Sequence, residues 1–421
     1  MAETIDPARL LRAVAGAITD EQAPIARLAS CRETLDELRA REGDPVAPRL
    51  AAWVLWLLLR RANHDAERAA ALARDAKSLL VQRDARRVSA TDVVTALVSA
   101  APDARELLDA LVLGAHRVAD PARLALARRG RMLELLGAPR DPGAVVADPT
   151  TMAARVLRAT DELAREVRAP DLAAAVARAA GHGIDVGWPR ALDLPTLLAP
   201  LRGEAGWLDV PPMAAPALPR RLAPASFVRG CSRLGERWAD ACAPRDRPLA
   251  LAVVPSRLDR HTLGALFASL ARSRPLLERL GMSAAERARA RRQVALGLLA
   301  HTRKLALSVL LSAQAQADGP LAPLFEEHAA AALGAARAPA ALALALPRVD
   351  PLDGSRLAAT LVAASLADGL RERHDEDWLR NPRAVIELRH LLGREPRSAV
   401  DDDACEAGLA AWISQTARAL G

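Results

Sequence analysis

The sequence predicts an all-α protein, a multi-helix array in two helical regions joined by a Pro-rich irregular connector, with little or no sheet. Three observations predict it. Apolar residues make up 51% of the chain, and they are dominated by Ala and Leu, which hold a helix at little cost in side-chain entropy. Residues that fit a pleated surface are sparse, with no Tyr and three Phe beside seven Trp. Apolar positions also recur at three- and four-residue spacing, the period of a helix with one buried face.

The N-terminal region, residues 1–181, reads as helix after helix with short breaks, the pattern being clearest at 10–18, 50–59 and 93–98. Ser89 or Thr91 ahead of Asp92, and Asp120-Pro121 ahead of Leu124, are the residue types that cap and open helices. The stretch 182–223 differs. It holds Pro189, Pro195, Pro200, Pro211, Pro212, Pro216 and Pro219, a density that forbids long helices, so it is expected to be an irregular connector.

Helical patterning resumes in the C-terminal region, residues 224–421. The spacing predicts helices at 226–242, 263–280, 284–316, 321–333, 356–373, 382–392 and 404–420, with a short extended segment at 248–254. Asp401-Asp402-Asp403 stands where acidic residues cap a helix and complement its dipole. In a chain so poor in other aromatics, Trp53, Trp56, Trp188, Trp207, Trp238, Trp378 and Trp412 are expected in the core.

Composition narrows the function classes. Lys77 and Lys304 are the lysines and Asn63 and Asn381 the asparagines, an Arg- and Ala-rich usage typical of a GC-rich, bacterial genome. The net charge of +7 is small for 421 residues, and the Arg alternate with Asp and Glu, so the pattern argues against nucleic acid as a partner. Cys31, Cys231, Cys242 and Cys405 form neither a zinc-ligand spacing nor a disulfide framework. The acidic start, Met1 to Asp6, lacks the basic and apolar parts of a signal peptide. The most apolar stretch, 50–59, is about half the length that a bilayer needs. A cytoplasmic location without a membrane partner is the expectation.

A search for chemistry finds no phosphate loop, nucleophile elbow or H-E-x-x-H helix. The eight histidines, His64, His116, His182, His261, His301, His328, His374 and His390, are well separated. Glu326-Glu327-His328 are sequence neighbours, which point in different directions on a helix.

The C-terminal region read as a whole says more. The run Arg373-His374-Asp375-Glu376-Asp377-Trp378-Leu379-Arg380-Asn381-Pro382-Arg383-Ala384 follows a predicted long helix, itself preceded by the turn Val349-Asp350-Pro351. This run, with the order of the helices before it, resembles the D-W-F-R-N-P-x-A-G segment of bacterial α-helical zinc metallopeptidases of the thimet-oligopeptidase type. The resemblance spans roughly residues 224 to 420.

That register locates the zinc motif by position. Ser232-Arg233-Leu234-Gly235-Glu236-Arg237-Trp238 stands where the family carries H-E-L-G-H-A-L. The resemblance places Ser232 and Glu236 at the two histidine ligands and Arg233 at the general-base glutamate. His261-Thr262-Leu263-Gly264-Ala265-Leu266-Phe267-Ala268-Ser269-Leu270 matches the later E-G-x-A-x-L-F-x-S-L run, with His261 at the third ligand. A catalytic zinc needs three strong ligands and an open position. Ser232 is a poor ligand, Arg233 brings the wrong charge, and the tyrosines that the family uses on the oxyanion are missing from this chain.

The resemblance therefore implies a catalytically silent, metallopeptidase-like protein that binds a protein or peptide, with a degenerate motif at Ser232, Arg233, Glu236 and His261 and no cofactor. An unrelated helical scaffold or adaptor is the second reading. A hydrolase with a remodelled site is the third, in which Glu236 and His261 hold zinc weakly with a further ligand such as Glu326.

Overall fold

The computed structural model of the protein describes residues 148–167, 224–242, 258–314, 353–393 and 400–421, the short pieces 79–81 and 86–88, and isolated positions between 33 and 107 and at 332. The connector 182–223, the segment 248–254 and the predicted helices at 10–18, 50–59, 93–98 and 321–333 lie outside the described residues, apart from Ala51 and Ala332. So do the predicted caps Ser89, Thr91 and Asp120.

The described chain is almost entirely helical, as expected. Its helices are α1 (Pro149–Ala159), α2 (Asp161–Val167), α3 (Pro224–Cys242), α4 (Leu258–Leu270), α5 (Arg274–Arg279), α6 (Ala284–Gln314), α7 (Asp353–His374), α8 (Pro382–Gly393) and α9 (Asp402–Leu420), with a 3-10 turn at Trp378–Arg380. The sheet among the described residues is one antiparallel pair, β1 (Leu79–Val81) against β2 (Arg86–Val88).

Capping chemistry sets most of the starts. Asp148 accepts from the backbone N–H of Thr150 and Thr151 at 3.0 and 2.9 Å, ahead of Pro149. Ser283 and Glu286 form a reciprocal capping box at the start of α6. Asp401 caps α9 by accepting from Ala404 N–H at 2.6 Å, the role expected of that acidic run. Gly281 (φ 77°) closes the short turn between α5 and α6 in the left-handed region, where a side chain would be strained. Asp375 (φ 75°) ends α7 in the same region.

One predicted helix is two. The expected helix at 263–280 breaks at Ala271-Arg272-Ser273, because Pro275 has no N–H to give to the Ala271 carbonyl and its ring would clash with that carbonyl in a continuous helix. Ser273 adopts extended backbone and caps the restart.

Two apolar cores share the long helices α6 and α7. The first gathers α1, the C-terminal half of α6, the N-terminal half of α7, and α9, around Val156, Leu299, Leu357 and Trp412. The second gathers α3, α4, α5 and α8 on the other halves of α6 and α7, around Phe227, Trp238, Leu266 and Trp378. Trp238, Trp378 and Trp412 are core residues, as expected. The other four Trp lie outside the described residues.

Small residues let these helices cross closely. Ala358, Ala359, Ala363, Ala364 and Ala367 line the buried side of α7. A Cβ on Gly408 would meet the Leu361 carbonyl oxygen at 2.5 Å, so α9 packs against bare backbone of α7. Helices α1 and α2, from the N-terminal region of the sequence, are built into the first core alongside the C-terminal helices. Among the described residues α6 alone is long and apolar enough to cross a bilayer, and 72% of that window is buried inside the protein.

Buried Arg303 on α6 fastens this junction. Its guanidinium donates to Leu157 O at 2.8 Å and Ala332 O at 2.7 Å, and to the Thr160 hydroxyl. It also meets Asp161 Oδ1 at 2.8 Å. One side chain thus satisfies the Leu157 carbonyl at the C-terminal end of α1, the end whose dipole a cation complements, and pairs with Asp161 at the start of α2.

Candidate functional site

Helices α3 and α4 make the most extensive helix–helix contact of the described chain, and the sequence explains why. Gly235 lies against the backbone of α4, where a Cβ would meet Leu263 O at 2.3 Å. Gly264 faces back, and a Cβ there would meet Glu236 Cγ at 2.8 Å and Ser232 Oγ at 3.3 Å. Two glycines in register bring the helix axes together, and Trp238 stacks on Phe267 below them.

This close approach assembles a line of charge along the seam. The Asp240 carboxylate accepts from Arg260 Nε with both oxygens at 3.0 Å. Arg260 Nη2 lies 3.4 Å from Glu236 Oε2, and His261 Nδ1 lies 3.6 Å from Glu236 Oε1. His261 is buried, whereas Glu236 and Arg260 keep a fifth to a third of their side chains in solvent. Burial works against the Glu236 charge, but the His261 ring and the cations Arg260 and Arg233 outweigh it, holding its pKa below the ordinary carboxylate range.

The structure therefore brings Ser232, Glu236 and His261 to one seam, three of the four positions singled out in the sequence. Arg233 stands on the exposed side of α3 and reaches the site by charge alone. Arg260 and Asp240 were missed. Their signal was present, since Asp240 is one helical turn beyond Glu236 and Arg260 adjoins His261 in sequence, but only the helix crossing shows that they meet.

The donor set does not suit a catalytic zinc. Such a site needs three protein ligands, whereas of the seam's two carboxylates and one imidazole, Asp240 is engaged by Arg260 through both oxygens and Glu236 has the same guanidinium 3.4 Å away. Among the described residues no three His, Cys, Asp or Glu side chains gather in a metal-holding group. Glu326, the further ligand of the remodelled-site reading, lies outside the described residues, as do Glu327 and His328. Thiolate chemistry is disfavoured as well. Burial pushes the Cys231 thiol, next to Ser232, up to about 12, and burial with the nearby Asp402 and Asp401 pushes Cys405 up to about 11.

The segment that carried the resemblance is built as a structural corner. Asp377 accepts from Arg279 of α5, Trp378 and Leu379 are buried, and Asn381 bonds Arg383 N–H at the start of α8. His374 Nε2 lies 2.8 Å from Glu387 Oε2, and Arg373 donates to the same carboxylate, tying α7 to α8.

Set against family models, curated proteins and solved structures, the chain matches none of them.

Proposed function

We propose that this is a catalytically silent, metallopeptidase-like helical protein that acts by binding a peptide or a protein segment. The observation that supports this reading is the α3–α4 seam. Glu236 and His261, placed by the resemblance at two ligand positions of a zinc site, stand 3.6 Å apart. The charge that would balance the Glu236 carboxylate comes from Arg260. An ion-paired seam of this kind offers hydrogen bonds and charge to an extended chain but no activated water.

The test joins two measurements on the purified full chain. Elemental mass spectrometry is expected to find no zinc that depends on Glu236 and His261. A pool of fluorescent unstructured peptides is expected to bind saturably and to remain uncut. About one zinc per chain, the content of a catalytic site of this class, lost on Glu236→Ala and accompanied by cleavage, overturns the silent reading. A pool in which no peptide binds overturns the binding role.

A helical scaffold is the second reading, favoured by the shared core in which α1 and α2 join the C-terminal helices. It predicts that peptide binding fails while the fold and its stability are intact.

A further inference from the structure

The second buried arginine is built unlike the first. Arg272, in the break between α4 and α5, is 6% exposed. It donates to Gln415 Oε1 at 2.6 Å and Thr416 Oγ1 at 3.3 Å, both on α9 and both neutral. Gln415 is fixed in turn by donating to Ala364 O at 2.8 Å. A guanidinium has five N–H donors and a full charge, so these partners orient Arg272 without neutralising it. An unpaired buried charge is costly.

Its charged neighbours make the imbalance worse. Arg371 on α7, Arg418 on α9 and Arg291 on α6 all lie within electrostatic reach, against one carboxylate, Asp368. Asp368 pairs with Arg371 and lies 3.7 Å from Arg418. Glu376 adds a second negative charge that acts on Arg371 less strongly than Asp368 does. Arg291 Nε is buried and has no hydrogen-bond partner. Burial, then Arg371, pushes the Arg272 pKa down to about 9, which still leaves it protonated at neutral pH.

Arg371 and Arg418 share the Asp368 carboxylate, and Arg272 is fixed to Gln415 and Thr416 on the same turn of α9 as Arg418. Three guanidiniums thus gather around one carboxylate, with Arg291 of α6 within electrostatic reach. Solvent reaches the group through Arg371 and Arg418, whose side chains are 30% and 62% exposed. From this geometry we infer that Arg272, Arg291, Arg371 and Arg418 form a binding site for a phosphate-class oxyanion, either the free ion or the phosphate group of a larger molecule. Guanidinium forks match the oxygens of a tetrahedral dianion, and a dianion offsets more of the excess charge than a carboxylate does. The site is independent of the α3–α4 seam.

Isothermal titration of the full chain with inorganic phosphate, at ionic strength held constant with chloride, tests this. Saturable binding is expected, together with a rise in Tm that equal ionic strength of chloride does not produce. The Arg371→Ala/Arg418→Ala double variant, altered at the two most accessible arginines, is expected to fold and to bind at least tenfold more weakly. A phosphate monoester, glycerol phosphate, separates the two sources. Tighter binding of the ester assigns the site to a phosphate carried on a larger molecule, and tighter binding of the free ion assigns it to phosphate itself. No binding of either probe overturns the proposal, as does binding that the double variant leaves unchanged.

Discussion

Two buried arginines, Arg303 and Arg272, stand at different places along the same bundle and solve the problem of a buried charge differently. Arg303 is enclosed by acceptors: two carbonyls, a hydroxyl and the Asp161 carboxylate. Arg272 is held by an amide and a hydroxyl, with like charges around it. A charge whose partners are all supplied by the chain is a fastener. A charge that the chain orients and leaves unbalanced is prepared for something that comes from outside. Burial alone would have scored the two as equals; the census of partners separates them.

The largest effect expected from breaking this contrast is at Arg303. Arg303→Met leaves the Thr160 hydroxyl, Leu157 O and Ala332 O without their donor, and should cost about 3–5 kcal/mol in urea unfolding. Thr160→Val removes one acceptor from Arg303, together with the hydroxyl's own bond to Val156 O. It should cost about 1–2 kcal/mol. Both losses should appear equally in phosphate and in chloride. A phosphate-dependent loss at either position would show that Arg303, too, responds to an anion from outside the chain.

Arg272→Met should cost far less than Arg303→Met in phosphate-free buffer, staying within about 1 kcal/mol of the parent. The lost bonds to Gln415 and Thr416 are offset by no longer burying a charge that has only neutral hydrogen-bond partners, the reason that buried ions are often replaced by apolar side chains without penalty. The same variant should lose the stabilisation by phosphate. An unfolding cost of about 3 kcal/mol or more would show that Arg272 is as fully satisfied as Arg303, and the contrast would fail.

Much of the fold was legible because its signals are local. The helices α6, α7, α8 and α9 start or stop within a few residues of the positions predicted from apolar spacing, and Asp401 caps where an acidic run before a helix should. The break at Arg272 was misjudged although Ser273 and Pro275 announce it, because the apolar period continues across it. Site residues were legible only where a pattern carried them. Glu236 and His261 were named from a motif register, but Arg260, Asp240, Arg272 and Arg303 look in sequence like any other charged residue of a solvated helix face. Their partners lie 20 residues away for Asp240 and Arg260, and 143 for Arg303 and Thr160. Nothing local encodes such distances; they follow from which glycines and alanines let helices cross.

Glu236 falls between the two arginines, since its charge has partners on both sides yet touches solvent, and it should give the smallest effect. Glu236→Gln keeps the shape of the seam and removes the charge that faces Arg260 and His261. For a pair this exposed the expected cost is below about 1 kcal/mol at neutral pH. The sign of its pH dependence follows from linkage. The folded-state pKa is lowered, so the unfolded chain binds the proton more readily, and the contribution of Glu236 is present above the unfolded Glu pKa of about 4.3. It is lost as pH falls through the lower, folded value. The stability difference between the parent and Glu236→Gln, followed by urea unfolding from pH 7 down to pH 3, should therefore be constant at first and shrink toward zero on the acid side. A difference that grows as pH falls would mean that the protonated carboxyl is the form the seam prefers, and Arg260 would no longer be the charge that balances it.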